Sequence, residues 1–159
     1  MATQLVMYEE EFHRINAACD RLTKDANAKV VFVVDKNGQL ISAAGQTHNL
    51  DTTSLASLTA GNVAAMGGLA KLIGENEFPN QFHEGAKDSL YMTLVGGRVV
   101  LVVIFDNRTS LGLVRLRIKK ASDELEKIFQ VVAGRSAAPG AGSPFAEISD
   151  ADIDNLFSE

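Results

Sequence analysis

The 159-residue sequence predicts an α+β domain in which helices lie on the faces of a five-stranded antiparallel sheet. Two tight-turn signals, Asp35-Lys36-Asn37-Gly38 and Gly96-Gly97, each separate two strand-like runs and therefore predict β-hairpins. Two stretches carry apolar residues at spacings of three and four, and a third carries small residues at spacings of four, so three helices are expected. The predicted order is helix, two strands, helix, three strands, helix (αββαβββα), followed by a flexible C-terminal tail.

The N-terminal third contains the first helix and the first hairpin. The helix is predicted over Val6 to Lys24, and Cys19 on its apolar stripe is expected to be a buried core thiol. The β-branched run Lys29 to Val34 and the segment Gln39 to Ala44 flank the first tight turn as two strands. The apolar stripe of the helix consists of Tyr8, Phe12, Ile15, Cys19 and Leu22.

The central helix, Leu55 to Ile73, has almost no side-chain bulk along one side. A polar residue of Asp51–Thr53 caps its start, and Gly74 followed by Pro79 ends it. Each of its three glycines costs about 1 kcal/mol of helix propensity relative to alanine, so close packing against another surface has to compensate. That surface is either the protein's own sheet or a separate partner. The small residues are Ala56, Ala60, Gly61, Ala64, Ala65, Gly67 and Gly68.

The second half of the domain contains three strands and the last helix. Phe82 to Lys87 is predicted as a short strand of mixed polarity, and Leu90 to Val95 and Arg98 to Phe105 form the second hairpin. The unbroken apolar run of the last strand predicts a central place in the sheet. Ser110 caps the last helix. Its apolar residues are Leu111, Val114, Ile118, Ala121, Leu125, Ile128 and Val132.

Charge and composition divide the chain into a domain over 1–133, a flexible linker over 134–144 and an acidic amphipathic segment over 145–159. The net charge of −5 belongs to the last segment, because residues 1–144 contain 15 basic and 15 acidic residues. The equal numbers of basic and acidic residues in 1–144 argue against a nucleic-acid partner. The acidic segment favours a basic protein surface as its target. No apolar run approaches the roughly 20 residues of a membrane helix, so we expect a cytoplasmic protein without a membrane partner.

The acidic segment carries its own helix signals. Ser149 and Asp152 resemble a capping box, and Ile148 and Ile153 stand where a hydrophobic staple closes such a helix. A helix of barely two turns is marginal alone, so the segment is interpreted as a recognition element that folds on binding. The alternative is a frayed tail whose apolar residues touch its own domain. These apolar residues are Phe145, Ile148, Ile153, Leu156 and Phe157.

No pattern for autonomous chemistry stands out in the sequence. His13, His48 and His83 are distant from one another and from Cys19, so no metal site is expected. The glycines of the central helix are not followed by Lys-Ser or Lys-Thr, which excludes a phosphate-binding loop of the usual kind. We therefore expect no active site, metal or nucleotide in this chain.

Three long stretches resemble the roadblock family of dynein light chain-related domains, over about residues 6–133. The acidic segment SPFAEISDADIDNLF extends the resemblance to the family's bacterial gliding-motility members. The resemblance implies a homodimer in which the third strand pairs with its copy, through Phe82, His83 and Glu84, while the central helices lie side by side. The stretches are LDTTSLASLTAGNVAAMGGLAKLIGENEF, LYMTLVGGRVVLVVIFD and SLGLVRLRIKKASDELEKIF.

The resemblance also implies a partner, a Ras-like small GTPase that docks on the central helices and holds the GTP and Mg²⁺ itself. We name the expected contact surface, Ala60, Gly61, Ala64, Ala65 and Gly68, the docking ridge. Further contacts are expected from Lys71, Lys119, Lys120 and Lys127, and, on a second surface of the GTPase, from Phe145, Ile148, Ile153, Leu156 and Phe157.

The implied role is GTPase activation in cell polarity and gliding motility, with the tail affecting nucleotide exchange. Lys71 is the only basic residue between Ala56 and Ile73, so no arginine finger is expected, and the partner's own switch residues would be held in place. A non-catalytic scaffold for a GTPase or motor complex and an autonomous enzyme stay open as alternatives. Enrichment at a cell pole or a diffuse distribution are both compatible with the resemblance.

Overall fold

The computed structural model of the chain describes residues 8–137. The five strands form one antiparallel sheet in the order β2-β1-β5-β4-β3, which confirms the predicted fold class and element order. The expected contacts of the acidic segment, Phe145 to Phe157, lie outside the described residues. The elements are α1 (Glu9–Asp25), β1 (Val30–Asp35), β2 (Leu40–Gly45), α2 (Thr52–Leu72), β3 (Asn80–His83), β4 (Ser89–Val95), β5 (Val99–Phe105) and α3 (Leu111–Ala137).

The sheet separates two hydrophobic cores because successive strand residues point to opposite faces. On one face, α1 and α3 pack on a large core that includes Val31, Leu101 and Leu125. On the other face, α2 packs on a smaller core that includes Phe32 and Val102. The protein therefore has three layers, with α1 and α3 on one side of the sheet and α2 alone on the other.

Both predicted hairpins are confirmed, and both turns lie at one end of the sheet. Asp35 Oδ1 accepts the N–H groups of Asn37 and Gln39 at 2.9 Å, which fixes the first turn. Gly96 and Gly97 adopt φ angles of 60° and 67°, the left-handed values that a type I′ turn requires. Because Asp35 pairs with Val99, the two turns are neighbours, and we call this end of the sheet the hairpin end.

The outer strand β2 contains an irregularity. Val33 pairs with Ser42 and Val34 with Leu40, so Ile41 is an extra residue in β2 without a partner in β1. Such a bulge bends and twists the strand that carries it.

The buried face of α1 and the extent of β3 differ from the predictions. Phe12 is 38% exposed, whereas Ala18 is buried, because the buried face of α1 is centred on Ile15 and Leu22. Strand β3 covers Asn80–His83 and not Phe82–Lys87. It ends early because the chain turns tightly at Gly85, where a Cβ atom would stand 2.3 Å from the carbonyl oxygen of Asp88.

Helix α3 continues to Ala137, four residues into the segment predicted as linker. The residue types of Arg135, Ser136 and Ala137 are compatible with a helix. The loss of helix propensity at Gly134 alone, about 1 kcal/mol relative to alanine, is too small to end it. Pro139 comes two residues after the last helical residue, where a proline cannot continue a helix.

Within residues 8–137, no helix is long and apolar enough to cross a membrane. In the same residues, no three His, Cys, Asp or Glu side chains stand close enough together to hold a metal ion.

We predict that the Cys19 thiol resists alkylation in the native protein. It is buried, and burial raises the pKa of Cys19 to about 11 from an ordinary value of 9.0. Below pH 9 this shift alone lowers the thiolate fraction roughly 100-fold. The measurement is maleimide labelling at pH 7.5 with and without denaturant, followed by mass spectrometry. Equal labelling rates in both conditions would contradict the buried position.

Candidate functional site

Helix α2 begins at a well-formed cap and rests on the sheet through small side chains. Asp51 accepts a hydrogen bond from the Ser54 N–H at 3.0 Å and one from the Ser54 hydroxyl at 2.6 Å. Both bonds lower the pKa of the Asp51 carboxyl, and the bond from the Ser54 hydroxyl has the larger effect. The inward face of α2 contains Ala56, Thr59 and Ala70, which are buried. Such short side chains hold the helix close to the sheet.

The docking ridge faces mainly outward. Gly61, Ala64, Ala65 and Gly68 are exposed or half-buried, as is Ala60, and none of the five is fully buried. A Cβ atom built at Gly61, Gly67 or Gly68 would meet nothing within 4 Å. The interpretation that these glycines make room for the protein's own sheet therefore does not hold.

The outward side of α2 also carries long apolar side chains. Leu58, Leu69 and Leu72, here called the leucine stripe, are 72%, 47% and 84% exposed. Asn62 Oδ1 is buried in the same helix without a hydrogen-bond partner among residues 8–137. A helix that is apolar on all sides is typical of a fully covered position, so the outward side of α2 indicates a protein contact.

A groove of about 490 Å³ runs beside the docking ridge at the hairpin end of the sheet. One wall belongs to α2, and the floor is formed by Leu94 and Val100, which are paired strand residues next to the second turn. The rest of the lining comes from Asn76, Glu77 and Phe78, in the segment after α2, and from Lys36 of the first turn. The α2 residues of the groove are Ala60, Val63, Ala64, Met66, Gly67, Gly68 and Lys71.

The structure places the expected basic contacts on two different faces. Lys71 is exposed in α2 and lines the groove beside the docking ridge. Lys119, Lys120 and Lys127 belong to α3, which packs on the opposite face of the sheet. One flat contact with the docking ridge cannot include these three lysines, because the sheet lies between the two helices.

The expected dimer residues lie on or next to an outer strand. β3 pairs with β4 along one side and with no strand of this chain's described residues along the other. Phe82 and His83 belong to β3, whereas Glu84 follows it. The Phe82 ring stacks on Phe105 at 6.2 Å between centroids, so this side chain also supports its own domain.

The described site has the composition of a docking surface. Around the groove, the charged side chains are Lys36, Lys71 and Glu77, with no histidine or cysteine beside them among the described residues. The carboxyl of Asp106 has a lowered pKa because the Arg108 side chain donates to it at 3.0 Å, but this pair follows β5 at the end of the sheet away from the groove. The arrangement can bind a partner; a nucleophile with its base is absent from the groove lining that the structure describes.

Two parts of the site were not predicted from the sequence. The groove residues outside α2 come from the first turn, from the segment after α2 and from two strands, and no local pattern connects them. The sequence did contain a signal for the leucine stripe. At helical spacing, Leu58, Leu69 and Leu72 fall on one side of α2, the side that bears Ala65. That signal is visible only when the whole circumference of the helix is considered.

Comparison with solved structures gives matches that include several MglB structures. Myxococcus xanthus MglB is 90% identical, with a TM-score of 0.77, and the match covers 80% of this chain and 96% of that one. The gliding protein MglB of Thermus thermophilus is 30% identical, with a TM-score of 0.76, over 82% of this chain and 99% of that one. A structure described as MglB with a tetrameric arrangement is 28% identical, with a TM-score of 0.77, over 83% and 99% of the two chains.

A comparison with curated proteins gives no match. The family profile of the Roadblock/LC7 domain matches residues 14–105, from α1 to the end of β5. The matched residues include the docking ridge and the outer strand β3. On the strength of this match and of 90% identity to one MglB structure, the chain belongs to the Roadblock/LC7 family.

Proposed function

We propose that this protein is a homodimeric regulator that activates a Ras-like small GTPase of the MglA type. One observation carries the proposal: the docking ridge faces outward, is smooth, and has no neighbours where side chains of its glycines would stand. A surface of this kind admits the close approach of a folded partner. Similarity to MglB structures supports the type of partner.

Two features support the proposed homodimer, the outer strand β3 and the leucine stripe. Asn80–His83 have no strand partner along one edge among residues 8–137, and an edge of this kind pairs readily with a second copy. A twofold axis beside β3 would bring two α2 helices to the same face of an extended sheet, where the leucine stripes can cover each other. The relative described as having a tetrameric arrangement supports self-assembly in the family.

The proposed mechanism is positioning of groups that belong to the GTPase. Hydrolysis of GTP is limited by the orientation of the attacking water and by the charge at the γ-phosphate. A rigid helical surface against the switch segments reduces their disorder and holds a catalytic glutamine and arginine of the GTPase in place. The GTP and Mg²⁺ stay with the GTPase.

The distribution of arginines supports a mechanism without an arginine finger. Most of them belong to α1 and α3, the helices on the face opposite α2. Arg108 pairs with Asp106 beyond β5. Among residues 8–137 this leaves Arg98, exposed in the turn at the hairpin end. The arginines of α1 and α3 are Arg14, Arg21, Arg115, Arg117 and Arg135.

A non-catalytic scaffold is the second candidate. The same docking ridge would hold a GTPase or another roadblock subunit without accelerating hydrolysis, and the lack of an arginine in α2 favours this interpretation as well. For the acidic segment we propose a second contact with the GTPase that affects nucleotide exchange. A role in polarity and gliding motility, in the cytoplasm and at a cell pole, belongs to the same proposal.

The main test is single-turnover GTP hydrolysis by an MglA-type GTPase with this protein and with its Gly68→Arg variant. We expect the wild type to accelerate hydrolysis and Gly68→Arg to abolish both acceleration and binding, because a long cation would hold the two surfaces apart. Gly112→Arg is the matched control, since Gly112 is exposed on α3 with nothing within 4 Å of its Cβ position.

Binding without acceleration by the wild type would favour the scaffold. Wild-type binding by a folded Gly68→Arg dimer would exclude the docking ridge as the contact surface. Hydrolysis by this chain in the absence of the GTPase would instead show an autonomous enzyme.

The Gly68→Ala substitution separates the protein's own stability from partner binding. A methyl group at this position meets no atom within 4 Å and improves the helix propensity. We expect the free energy of unfolding, measured in urea, to rise by about 1 kcal/mol. A decrease would show that something else in the folded assembly already occupies the space at Gly68.

The Arg98→Ala substitution tests the absence of an arginine finger. Such a finger contributes roughly 10³- to 10⁵-fold to hydrolysis in GTPases that use one. We expect Arg98→Ala to change the single-turnover rate at saturating concentration by less than about tenfold, well below that range. Loss of acceleration with unchanged affinity would refute the proposed mechanism.

A further inference from the structure

We propose that, in the absence of the GTPase, the acidic segment of this same chain occupies the groove beside the docking ridge. The occupant is the segment Phe145–Glu159, and the contact would cover part of the docking surface until the GTPase displaces it. This inference rests on the proposed function for its biological meaning, although the contact itself does not need the GTPase.

The groove and the segment match in their apolar character. The groove has a floor of Leu94 and Val100 and a wall that contains Phe78. Its volume of about 490 Å³ is within the range of sites that bury several large apolar groups. In the short helix predicted from the sequence of this segment, Ile153, Leu156 and Phe157 would share one face, which is the usual shape of a peptide that enters an apolar groove.

The charges at the rim also match. Lys36 and Lys71 stand at the groove, and neither takes part in an ion pair within residues 8–137. The segment contains five carboxylates and no basic residue. Attraction between exposed charges of this kind is modest and falls as salt is added.

The chain is long enough to reach the groove from the end of α3. Glu126 lies beside the second turn, with its Cγ 3.6 Å from the Cβ position of Gly96, and α3 continues about eleven residues further to Ala137. These residues carry the chain about 16 Å past the turn at 1.5 Å per residue. Residues 138–144 span up to about 25 Å when extended, which covers the roughly 16 Å back to the hairpin end and leaves about 9 Å for crossing to the α2 face of the sheet.

The outer face of α3 is the competing position, because it carries Lys119, Lys120 and Lys127. This face provides positive charge. Within the described part of the helix, however, its exposed large apolar residues are only Leu116 and Val131. These two are separated by about four turns, so a two-turn helix cannot cover both. The groove is the position that satisfies the apolar side chains and the carboxylates together.

Occupation of the groove would regulate access to the docking ridge. Ala60, Ala64, Gly68 and Lys71 belong to the groove lining and to the expected GTPase contact. A segment lying there competes with the GTPase for these residues. Once displaced, it is free to make the second contact with the GTPase that we propose above.

The test uses the full-length protein with a spin label at the end of the segment. Cys19 is buried and is predicted above to resist labelling in the native protein, so the Ser158→Cys variant provides a single accessible labelling site. We expect the label to broaden the backbone amide NMR signals of Gly67, Gly68 and Lys71 until most of their intensity is lost. The signals of Lys119 and Lys120 on α3, which lie farther from the hairpin end than Glu126, should keep their intensity.

The control adds Leu156→Asp to the labelled protein, which removes one apolar anchor without touching the domain. This change should restore the signals at the groove. Broadening centred on α3, broadening at neither site, or groove broadening that persists in the Leu156→Asp variant would each overturn the proposal. Because no GTPase is present, such a result leaves the proposed GTPase activation intact, and a failed hydrolysis assay leaves this contact intact.

Discussion

The structure depends on the narrow strip by which α2 rests on the sheet. Ala56, Thr59 and Ala70 form most of this strip, with Val63 half-buried beside them. Small inward residues bring the helix close, but they leave the other apolar residues of α2 without cover. The helix therefore combines a secure attachment with an outward surface that water solvates poorly. The exposed docking ridge and the exposed leucine stripe both follow from that division.

The two faces of the sheet differ in the size of the core that they bury. α1 and α3 bury a large core, and their connection includes the ion pair between Arg21 and Glu124. The opposite face has a smaller core and most of the candidate contact surface. A partner on α2 and a partner on the basic side of α3 would not compete for space, since the whole sheet stands between them. Any contact made by the lysines of α3 would therefore be independent of a contact at the docking ridge.

Much of the fold was predictable from local chemistry. The turns at Asp35 and Gly96, the cap at Asp51 and the central strand β5 all follow from residue types whose backbone preferences or periodicity leave few alternatives. The outward position of Gly61 and Gly68 was one of two open alternatives, because a sequence does not show which side of an apolar helix faces the sheet. The limits of β3 could not be predicted, since the tight approach of Gly85 to Asp88 is a contact between backbones. The groove is assembled from distant segments and has no signature in any one of them.

The two borders of the sheet differ in regularity, and this difference would limit assembly of copies by strand pairing. The extra residue Ile41 interrupts the regular spacing of β2, so this border is a poor template for another strand. The border at β3 has no interruption along Asn80–His83. Pairing at only one border closes after two copies, whereas pairing at both would continue into a fibre. If β3 pairs with a second copy as proposed, the irregularity in β2 removes the second regular border at which further copies could add, so an exposed edge at β3 would lead to a closed dimer and not to a fibre.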